Sequence, residues 1–417
     1  MMAGRRPILV AATRQHVGKT TVSLSLMNGL KKRFDKLGFI KPVGQQHIEV
    51  QDDEGNPVRV DKDVELMKDY FGLDHLNFPD MSPVIIPRSY TKRFIDGEIT
   101  AEHQYEQIRK AYDNVSSVSD QVLLEGTGHV GVGSVVNTSN AQVAALLGAD
   151  VVLIANGGLG SAFDELDMNR AMCKEAGATI RGVIINKVQP DKLDMVRDYL
   201  GRLLEQRWGV PLLGVVPDLP FLSKATLANY EQLLGAELIA GERYRSLHYG
   251  ADNVQLVTTG LRRFLRKAQS TQADEKWYRP LYVTHCTRDD IVLGYLAHHQ
   301  RNVKQQQQGD ASGGRAWSGG GGPAGEGSPQ EWVGAMILAR GHVGSSPWMD
   351  DLTPMPYLME MVQSYDAPVM LVDHGTLEVE KRIQGYTAKL SIRDPSRVAA
   401  AIDHYEPHID FDLMLNG

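Results

Sequence analysis

Cysteine is nearly absent from this sequence. Only Cys173 and Cys286 occur among the 417 residues, and they lie far apart. They allow one disulfide bridge at most and match no metal-ligand spacing, so we expect a protein of a reducing compartment. The sequence also lacks the His-Glu-Xaa-Xaa-His, Cys-Xaa-Xaa-Cys and Gly-Xaa-Ser-Xaa-Gly patterns, so these signatures of catalytic and metal sites are absent.

Long apolar runs and an excess of positive charge are missing as well. The apolar run at 7–12 is far too short to cross a membrane, and no cleavage-site pattern accompanies it. The net charge is −7, which favours neither nucleic acid nor a membrane surface as a partner. Hydrophobic residues make up 42% and charged residues 23%, as in soluble globular proteins. We therefore expect a cytoplasmic protein.

The length and the order of apolar runs predict two α/β domains. A chain of 417 residues is too long for one ordinary core. In the first half, short apolar runs alternate with segments of helical length, which predicts a doubly wound, mostly parallel sheet. The predicted strands are 7–12, 121–125, 151–155 and 182–186, and the predicted helices are 20–34, 137–148, 163–176 and 191–207.

A second, smaller α/β domain is predicted after a boundary near 240–250. We assign the first domain to 1–245 and the second to 250–417. The stretch 302–331 is rich in glutamine and then in glycine. Such a composition cannot bury apolar surface, so we interpret this stretch as a disordered surface insertion.

A phosphate-binding loop is predicted at 12–21, between the first strand and the first helix. Backbone N–H groups around 15–20 would bind phosphate oxygens at the positive end of the helix. Gly18 allows close approach, Lys19 would reach the β- and γ-phosphates, and Thr20 would offer its hydroxyl to magnesium. Ala12 stands where a leading glycine is usual. Nucleotide contacts are predicted at Thr13, Arg14, Gln15, His16, Val17, Gly18, Lys19, Thr20 and Thr21.

Carboxylates for a magnesium ion are predicted in two places. Glu125 ends an apolar strand, where burial without a partner would be costly. The carboxyl end of a strand beside the loop is the position of a magnesium ligand in P-loop proteins. Asp61 and Asp63 begin a helix, and one of them serves only as its cap. The sequence does not decide which one, and we place Asp63 at the metal with Thr20 and Glu125.

The N-terminal 240 residues resemble the dethiobiotin synthetase family of P-loop proteins. The similarity lies in Thr-Arg-Gln-His-Val-Gly-Lys-Thr-Thr (13–21), Lys-Pro-Val-Gly (41–44), Glu-Gly-Thr-Gly (125–128), Ile-Ile-Asn-Lys-Val (184–188) and Leu-Leu-Gly-Val-Val-Pro-Asp-Leu-Pro (212–220). The resemblance implies ATP with Mg²⁺, bound by Lys19 and Thr20. It implies that Lys41 faces the γ-phosphate or an acid substrate, and that Asn186, Pro217 and Asp218 contact the base.

The C-terminal region resembles the regulatory DRTGG domain. The similarity lies in Cys-Thr-Arg-Asp-Asp-Ile (286–291), Ile-Leu-Ala-Arg-Gly (337–341) and 367–376. Both signature elements are altered: Thr-Arg-Asp-Asp stands where Asp-Arg is usual, and Ala-Arg-Gly replaces Thr-Gly-Gly. A P-loop domain followed by a DRTGG domain resembles the N-terminal part of long phosphate acetyltransferases, and we expect no acetyltransferase domain in this sequence. Both resembled families commonly pair, which implies a homo-oligomer.

Three functions remain open at this point. The first is a regulatory ATPase whose C-terminal domain senses a small metabolite or a protein. The second is a ligase that activates a carboxylate as an acyl phosphate, with Lys19 and Lys41 as catalytic residues. The third is an interaction module with a vestigial loop. Arg14 stands where dethiobiotin enzymes usually have aspartate, which argues against dethiobiotin synthesis; we predict that it touches a phosphate across a dimer.

Overall fold

The apolar run near the N-terminus forms the central strand of a parallel sheet. The computed structural model describes residues 5–52, 54–270, 279–311, 334–341 and 354–416. Its contacts divide the chain into two units, 1–219 with 390–417, and 220–389. The first unit begins with β1 (Ile8–Ala12), whose five residues are all buried. Burial on both faces explains why this strand is apolar without alternation.

The first unit is built on six parallel strands with helices between them. Their order across the sheet is β10-β9-β8-β1-β7-β2, and all five neighbouring pairs are parallel. The elements are β1, α1 (Lys19–Lys31), β2 (Leu37–Ile40), β3 (Val43–Gly44), β4 (His47–Gln51), β5 (Pro57–Asp61), α2 (Lys62–Phe71), α3 (Phe78–Met81), β6 (Val84–Ile85), α4 (Tyr90–Ile95), α5 (Ala101–Ser117), β7 (Gln121–His129), α6 (Asn140–Leu147), β8 (Asp150–Asn156), α7 (Gly160–Ala176), β9 (Thr179–Val188), α8 (Leu193–Trp208) and β10 (Leu212–Pro217).

The predicted fold class is confirmed by this sheet. Each of the four apolar runs predicted as strands lies in one of its strands, β1, β7, β8 or β9. The four predicted helices correspond to α1, α6, α7 and α8, with ends displaced by a few residues. Strands β7 and β8 lie on opposite sides of β1, so the chain changes direction across the sheet at β1. Ligands of such sheets bind in the crevice at the carboxyl ends of the strands at this point.

The second unit has a smaller sheet of five strands. Their order is β12-β17-β16-β15-β14, and only β12 runs antiparallel to its neighbour. The elements are β11 (Ala225–Thr226), α9 (Leu227–Leu234), β12 (Glu237–Ala240), β13 (His248–Tyr249), β14 (Val254–Leu256), α10 (Leu261–Ser270), β15 (Leu281–His285), α11 (Asp289–Ala311), β16 (Ala335–Ala339), α12 (Pro356–Ser364), β17 (Val369–Val372) and α13 (Thr376–Gln384).

The two units do not coincide with the predicted domains 1–245 and 250–417. Residues 220–249 belong to the second unit, because Tyr230, Tyr244 and Tyr249 are buried in one cluster with Leu281 of β15 and Met370 of β17. The predicted insertion at 302–331 is only partly described. Its first ten residues continue helix α11, and 312–331 lie outside the described residues.

The C-terminal residues return to the first unit as α14 (Pro395–Tyr405) and α15 (Phe411–Asn416). The Phe411 ring lies against Gly29 of α1, where a β-carbon would come within 2.0 Å of the ring. Asp410 N donates to Leu213 O of β10 at 2.8 Å. A glycine in the last turn of α1 thus provides the space into which the Phe411 ring packs. None of the described helices is both long and apolar enough to span a membrane.

Candidate functional site

The loop between β1 and α1 has the backbone shape of a phosphate-binding loop. His16 (φ 61°) and Gly18 (φ 98°) both adopt left-handed conformations, and α1 begins at Lys19. A β-carbon on Gly18 would lie 2.4 Å from Asn186 Nδ2, so both the backbone angle and the close approach require glycine. The loop therefore directs successive N–H groups and a helix N-terminus to one point, where they can bind an anion.

Two adjacent side chains near the end of one strand hold this loop in place. Asn186 Nδ2 donates to Val17 O at 2.7 Å, and Lys187 Nζ donates to His16 O at 2.8 Å. Both residues lie near the carboxyl end of β9, and Lys187 has a left-handed backbone (φ 54°). The loop is thus preorganised by contacts within the protein, which lowers the entropic cost of binding a phosphate.

A buried carboxylate lies beneath the loop. Glu125 Oε1 accepts from Lys19 Nζ at 3.2 Å, Thr20 Oγ1 at 3.0 Å and Lys41 Nζ at 3.2 Å. The Glu125 side chain is fully buried, and its second oxygen, Oε2, has no hydrogen-bond partner. β7 carries Glu125 opposite Val10 of β1. Three predicted site residues from two segments of the chain therefore meet at one oxygen atom of a third segment.

Lys41 lies at the centre of an acidic cluster. Besides Glu125, its ammonium group contacts Asp63 Oδ2 and lies 3.5 Å from Asp61 Oδ1. Burial acts to lower the pKa of Lys41, but the three carboxylates together outweigh burial and raise it. Burial likewise acts to raise the pKa of Asp63, but Lys41 and Lys19 outweigh it and lower the pKa. The geometry thus keeps Lys41 charged and Asp63 ionised at neutral pH.

The two candidate aspartates have different surroundings. Asp61 caps α2 by accepting from Asp63 N at 3.1 Å, and its Oδ2 accepts from the backbone N–H groups of Gln45 and Gln46 at 3.1 and 3.3 Å. Burial, followed by the charge of Asp63, raises the pKa of Asp61 against the opposing effect of Lys41. Asp61 therefore fits the structural role of a cap, whereas Asp63 faces Lys41, and its role as a metal ligand stays a prediction.

The donor set fits a magnesium ion that is held mainly by phosphate and water. The Thr20 hydroxyl, the Asp63 carboxylate and the unpartnered Glu125 Oε2 are hard oxygen ligands of the kind that Mg²⁺ prefers. Among the described residues, no group of three or more His, Cys, Asp or Glu side chains is arranged to enclose a metal. Magnesium does not require such a cage, because it commonly uses one or two carboxylates with nucleotide phosphates.

The remaining predicted residues of the loop lie apart from this cluster. Arg14, Gln15 and His16 are exposed, and Arg14 lies 3.6 Å from Glu165 of α7. Thr13 is buried, and its hydroxyl donates to Glu165 Oε2 at 2.9 Å. Thr21 is buried on α1, where its carbonyl accepts from the hydroxyl of the residue four positions later.

The predicted base contacts lie at the ends of β9 and β10. Asn186 is fully buried, and its Oδ1 accepts from Lys187 N at 2.8 Å while its amide nitrogen holds the loop. Asp218 is exposed, and its N–H donates to Val188 O at 2.8 Å. Pro217 O lies 2.9 Å from His404 Nε2. In this structure Asn186 therefore supports the loop from below, and a role in base contact stays a prediction.

Several residues of the site were not predicted from the sequence. Glu165 contacts Thr13 and Arg14, and Lys187 holds the loop backbone. Asn140 Nδ2 donates to Thr127 O at 2.9 Å and to His129 O at 2.8 Å, which fixes the strand end after Glu125. Lys187 follows Asn186 directly, so its position was a usable signal. Glu165 and Asn140 lie on helices α7 and α6, away from any recognised motif, so no local signal pointed to them.

The polar residues at the strand ends of the second unit are paired with acidic neighbours. Arg288 donates to Asp290 and to Thr259 O, and Arg340 donates to Asp373 Oδ1 at 3.2 Å. The Arg288 guanidinium thus makes several hydrogen bonds, whereas Nε of Arg340 is buried without a partner among the described residues.

A parallel α/β sheet with this loop and buried carboxylate defines a P-loop nucleoside triphosphatase domain. A sequence model of the AAA domain family AAA_26 matches residues 6–226, and the chain belongs to this family.

Two groups of characterised proteins are similar in sequence. Phosphate acetyltransferase of Pseudomonas aeruginosa is 24% identical over 97% of this chain and 51% of its own length. ATP-dependent dethiobiotin synthetase of Methanocaldococcus jannaschii is 26% identical over 50% of this chain and 92% of its own length. The chain spans about half the length of the phosphate acetyltransferases that match nearly all of it. Among solved structures, the MinD cell division protein of Aquifex aeolicus covers 52% of this chain and 84% of its own at 14% identity, with a TM-score of 0.31.

Proposed function

We propose that the first unit binds ATP with magnesium and that the protein is a slow, regulatory ATPase. The observation that carries this proposal is the convergence of Lys19, Thr20 and Lys41 on one oxygen of Glu125, with the other oxygen buried and unpartnered. A vestigial loop would not need to keep a lysine, a hydroxyl group and a buried carboxylate in contact with one another. The arrangement supports a competent site.

Each group has a part in binding. The loop N–H groups hold the phosphates, and Lys19 exchanges its contact with Glu125 for the β- and γ-phosphates. Thr20, Asp63 and Glu125 hold the magnesium ion, which neutralises phosphate charge when bound. Lys41 places a second buried cation next to the γ-phosphate position, where it offsets charge that develops during phosphoryl transfer.

The second unit is the proposed sensor. Its likeness to a DRTGG domain rests on altered sequence motifs, and its sheet presents Arg288, Arg340 and His374 at or just after the carboxyl ends of β15, β16 and β17. Strand ends of this kind are where α/β sheets bind ligands. We propose that a small metabolite or a protein partner binds there, and that the nucleotide state of the first unit responds to it.

The central test is thermal stabilisation of the full chain by Mg-ATP, followed by calorimetric titration. A ligand at 100 times its Kd stabilises the folded protein by about 2.7 kcal/mol. We expect Lys19→Ala to abolish this effect, and Lys110→Ala, an exposed lysine on α5, to preserve it. Glu125→Gln should retain nucleotide binding but weaken its dependence on magnesium. No stabilisation of the wild-type chain by Mg-ATP would contradict the proposal.

A carboxylate-activating ligase is the second candidate. The observation that favours it is the burial of Lys41 within the cluster, together with relatives named dethiobiotin synthetase that are matched over 92% and 100% of their length. The two candidates differ in their need for a second substrate. A regulatory ATPase hydrolyses ATP slowly when alone, whereas a ligase releases phosphate only with an acid co-substrate. Bicarbonate with a diamine is the first pair to try.

A further inference from the structure

The C-terminal helix α14 reaches the nucleotide-binding loop from the far end of the sequence. It packs along α1, the helix that begins at Lys19, and Ser25 Oγ of α1 donates to Ala401 O at 3.4 Å. Asn28 of α1 donates to Glu406, which follows the helix, and Lys32 pairs with the same carboxylate. α14 is therefore anchored to the helix that presents the loop.

The last residue of α14, Tyr405, contacts Asn186, the residue that supports the loop. Tyr405 is buried, and its hydroxyl lies beside the side chain of Asn186. The position of a β-carbon on Gly18 is 2.4 Å from Asn186 Nδ2 and 3.7 Å from the Tyr405 hydroxyl oxygen. Burial raises the pKa of Tyr405 to about 12, so the group is a neutral phenol at physiological pH. Tyr405 is thus in contact with the residue that holds Val17 in place.

The preceding residue, His404, contacts Pro217, which is also predicted to contact the base. His404 Nε2 lies 2.9 Å from Pro217 O, at the end of β10. Consecutive residues of α14 therefore touch the ends of both β9 and β10. The chain leaves the first unit just after Pro217 and re-enters it just before α14. Both connections to the second unit thus lie close in sequence to these contacts.

We infer that Tyr405 is a positioning residue for the nucleotide site: it orients the Asn186 amide, which in turn holds the loop at Val17 and Gly18. This inference rests on the proposed binding of Mg-ATP. A loop that loses this support must be ordered by the nucleotide itself, so affinity falls. Any displacement of α14 that the second unit transmits through the connecting chain would have the same effect.

The direct test is Tyr405→Phe in the full chain, with the Kd for Mg-ATP measured by calorimetry. Loss of the polar group beside the Asn186 amide predicts affinity weaker by about 3- to 10-fold. The matched control is Tyr230→Phe, which removes a buried tyrosine hydroxyl that donates to Tyr249 O at 3.0 Å in the second unit. This control should lower the thermal midpoint and leave the Kd unchanged. Equal Kd values for Tyr405→Phe and wild type would overturn the inference.

Hydrogen exchange on the wild-type chain provides a test that needs no variant. Coupling is reciprocal, so Mg-ATP should slow amide exchange in 395–406 as well as in the loop. Protection confined to the loop would overturn the inference even if Tyr405→Phe failed to fold. Absence of any Mg-ATP binding by the wild type would instead refute the proposed function, so the two failures are distinguishable.

Discussion

Replacement of Lys41 by methionine tests the electrostatics of the site most directly. The change keeps the length and the apolar stem of the side chain but removes the ammonium group. That group lies 3.2 Å from Glu125 Oε1 and 3.5 Å from Asp61 Oδ1, and it contacts Asp63. All four side chains are at most 10% exposed. The variant therefore leaves three buried carboxylates, with Lys19 and Lys62 as cations near Asp63.

The expected cost is large at neutral pH. Removal of one partner from a buried ion pair destabilises a protein by about 3–5 kcal/mol, because a charge stays buried without compensation. For a domain of this size that loss corresponds to a decrease of about 6–20 °C in the midpoint of thermal unfolding.

The cost should depend on pH with a definite sign. In the wild type, Lys41 and Lys19 outweigh burial and lower the pKa of Asp63. Asp63 therefore contributes stability that is present above its unfolded pKa of about 4 and is lost as the pH falls further. Without Lys41 the carboxylates accept protons more readily. The difference between variant and wild type should therefore shrink as the pH falls towards 4.

Thermal melts of both proteins at pH 7 and pH 4, followed by circular dichroism, measure this difference. Lys31→Met serves as the control, since Lys31 Nζ donates to a backbone carbonyl, Phe71 O, at 2.7 Å, and a carbonyl does not titrate. A Lys41→Met protein as stable as the wild type at pH 7 would refute the reasoning. So would a loss of the same size at both pH values.

Three further predictions follow from the contacts around the site and in the second unit. Asp63→Asn should weaken the magnesium dependence of ATP binding in calorimetry. Asp61→Ala, which removes a helix cap, should instead lower the unfolding free energy by about 1 kcal/mol. The reverse pattern would contradict our assignment. Arg14→Ala should leave the melting temperature nearly unchanged, because the exposed ion pair of Arg14 with Glu165 is worth about 0–1 kcal/mol. The same variant should slow ATP hydrolysis if Arg14 reaches a phosphate across a dimer. Unchanged hydrolysis and unchanged nucleotide affinity would exclude that role. Burial, with a smaller effect of a nearby arginine, lowers the pKa of His299 to about 4. The unfolding free energy of the second unit should therefore fall as the pH decreases from about 6.5 towards 4. His299→Gln should make this decrease smaller when the unfolding free energy is measured by urea unfolding at several pH values.

Local signals explain why much of the nucleotide site was predictable. A strand, a glycine-containing loop and a helix are consecutive in sequence, so Gly18, Lys19 and Thr20 could be assigned from their order alone. Glu125 was predictable because an acid that follows an apolar run is costly to bury unpaired, although β7 continues beyond it to His129. The choice between Asp61 and Asp63 was not, since it depends on which carboxylate faces backbone N–H groups and which faces Lys41.

The sequence by itself determined the fold class, the phosphate-binding loop and the acids and lysines around it, because these depend on apolar runs and short-range order. Only the tertiary structure decided how distant segments meet. It brought Lys41 and Glu125 to one oxygen contact, placed 220–249 in the second unit and returned α14 to the loop. Such contacts depend on packing between residues far apart in the chain, for example Phe411 against Gly29 and Tyr405 against Asn186. No local sequence pattern indicates which residue a buried side chain will contact.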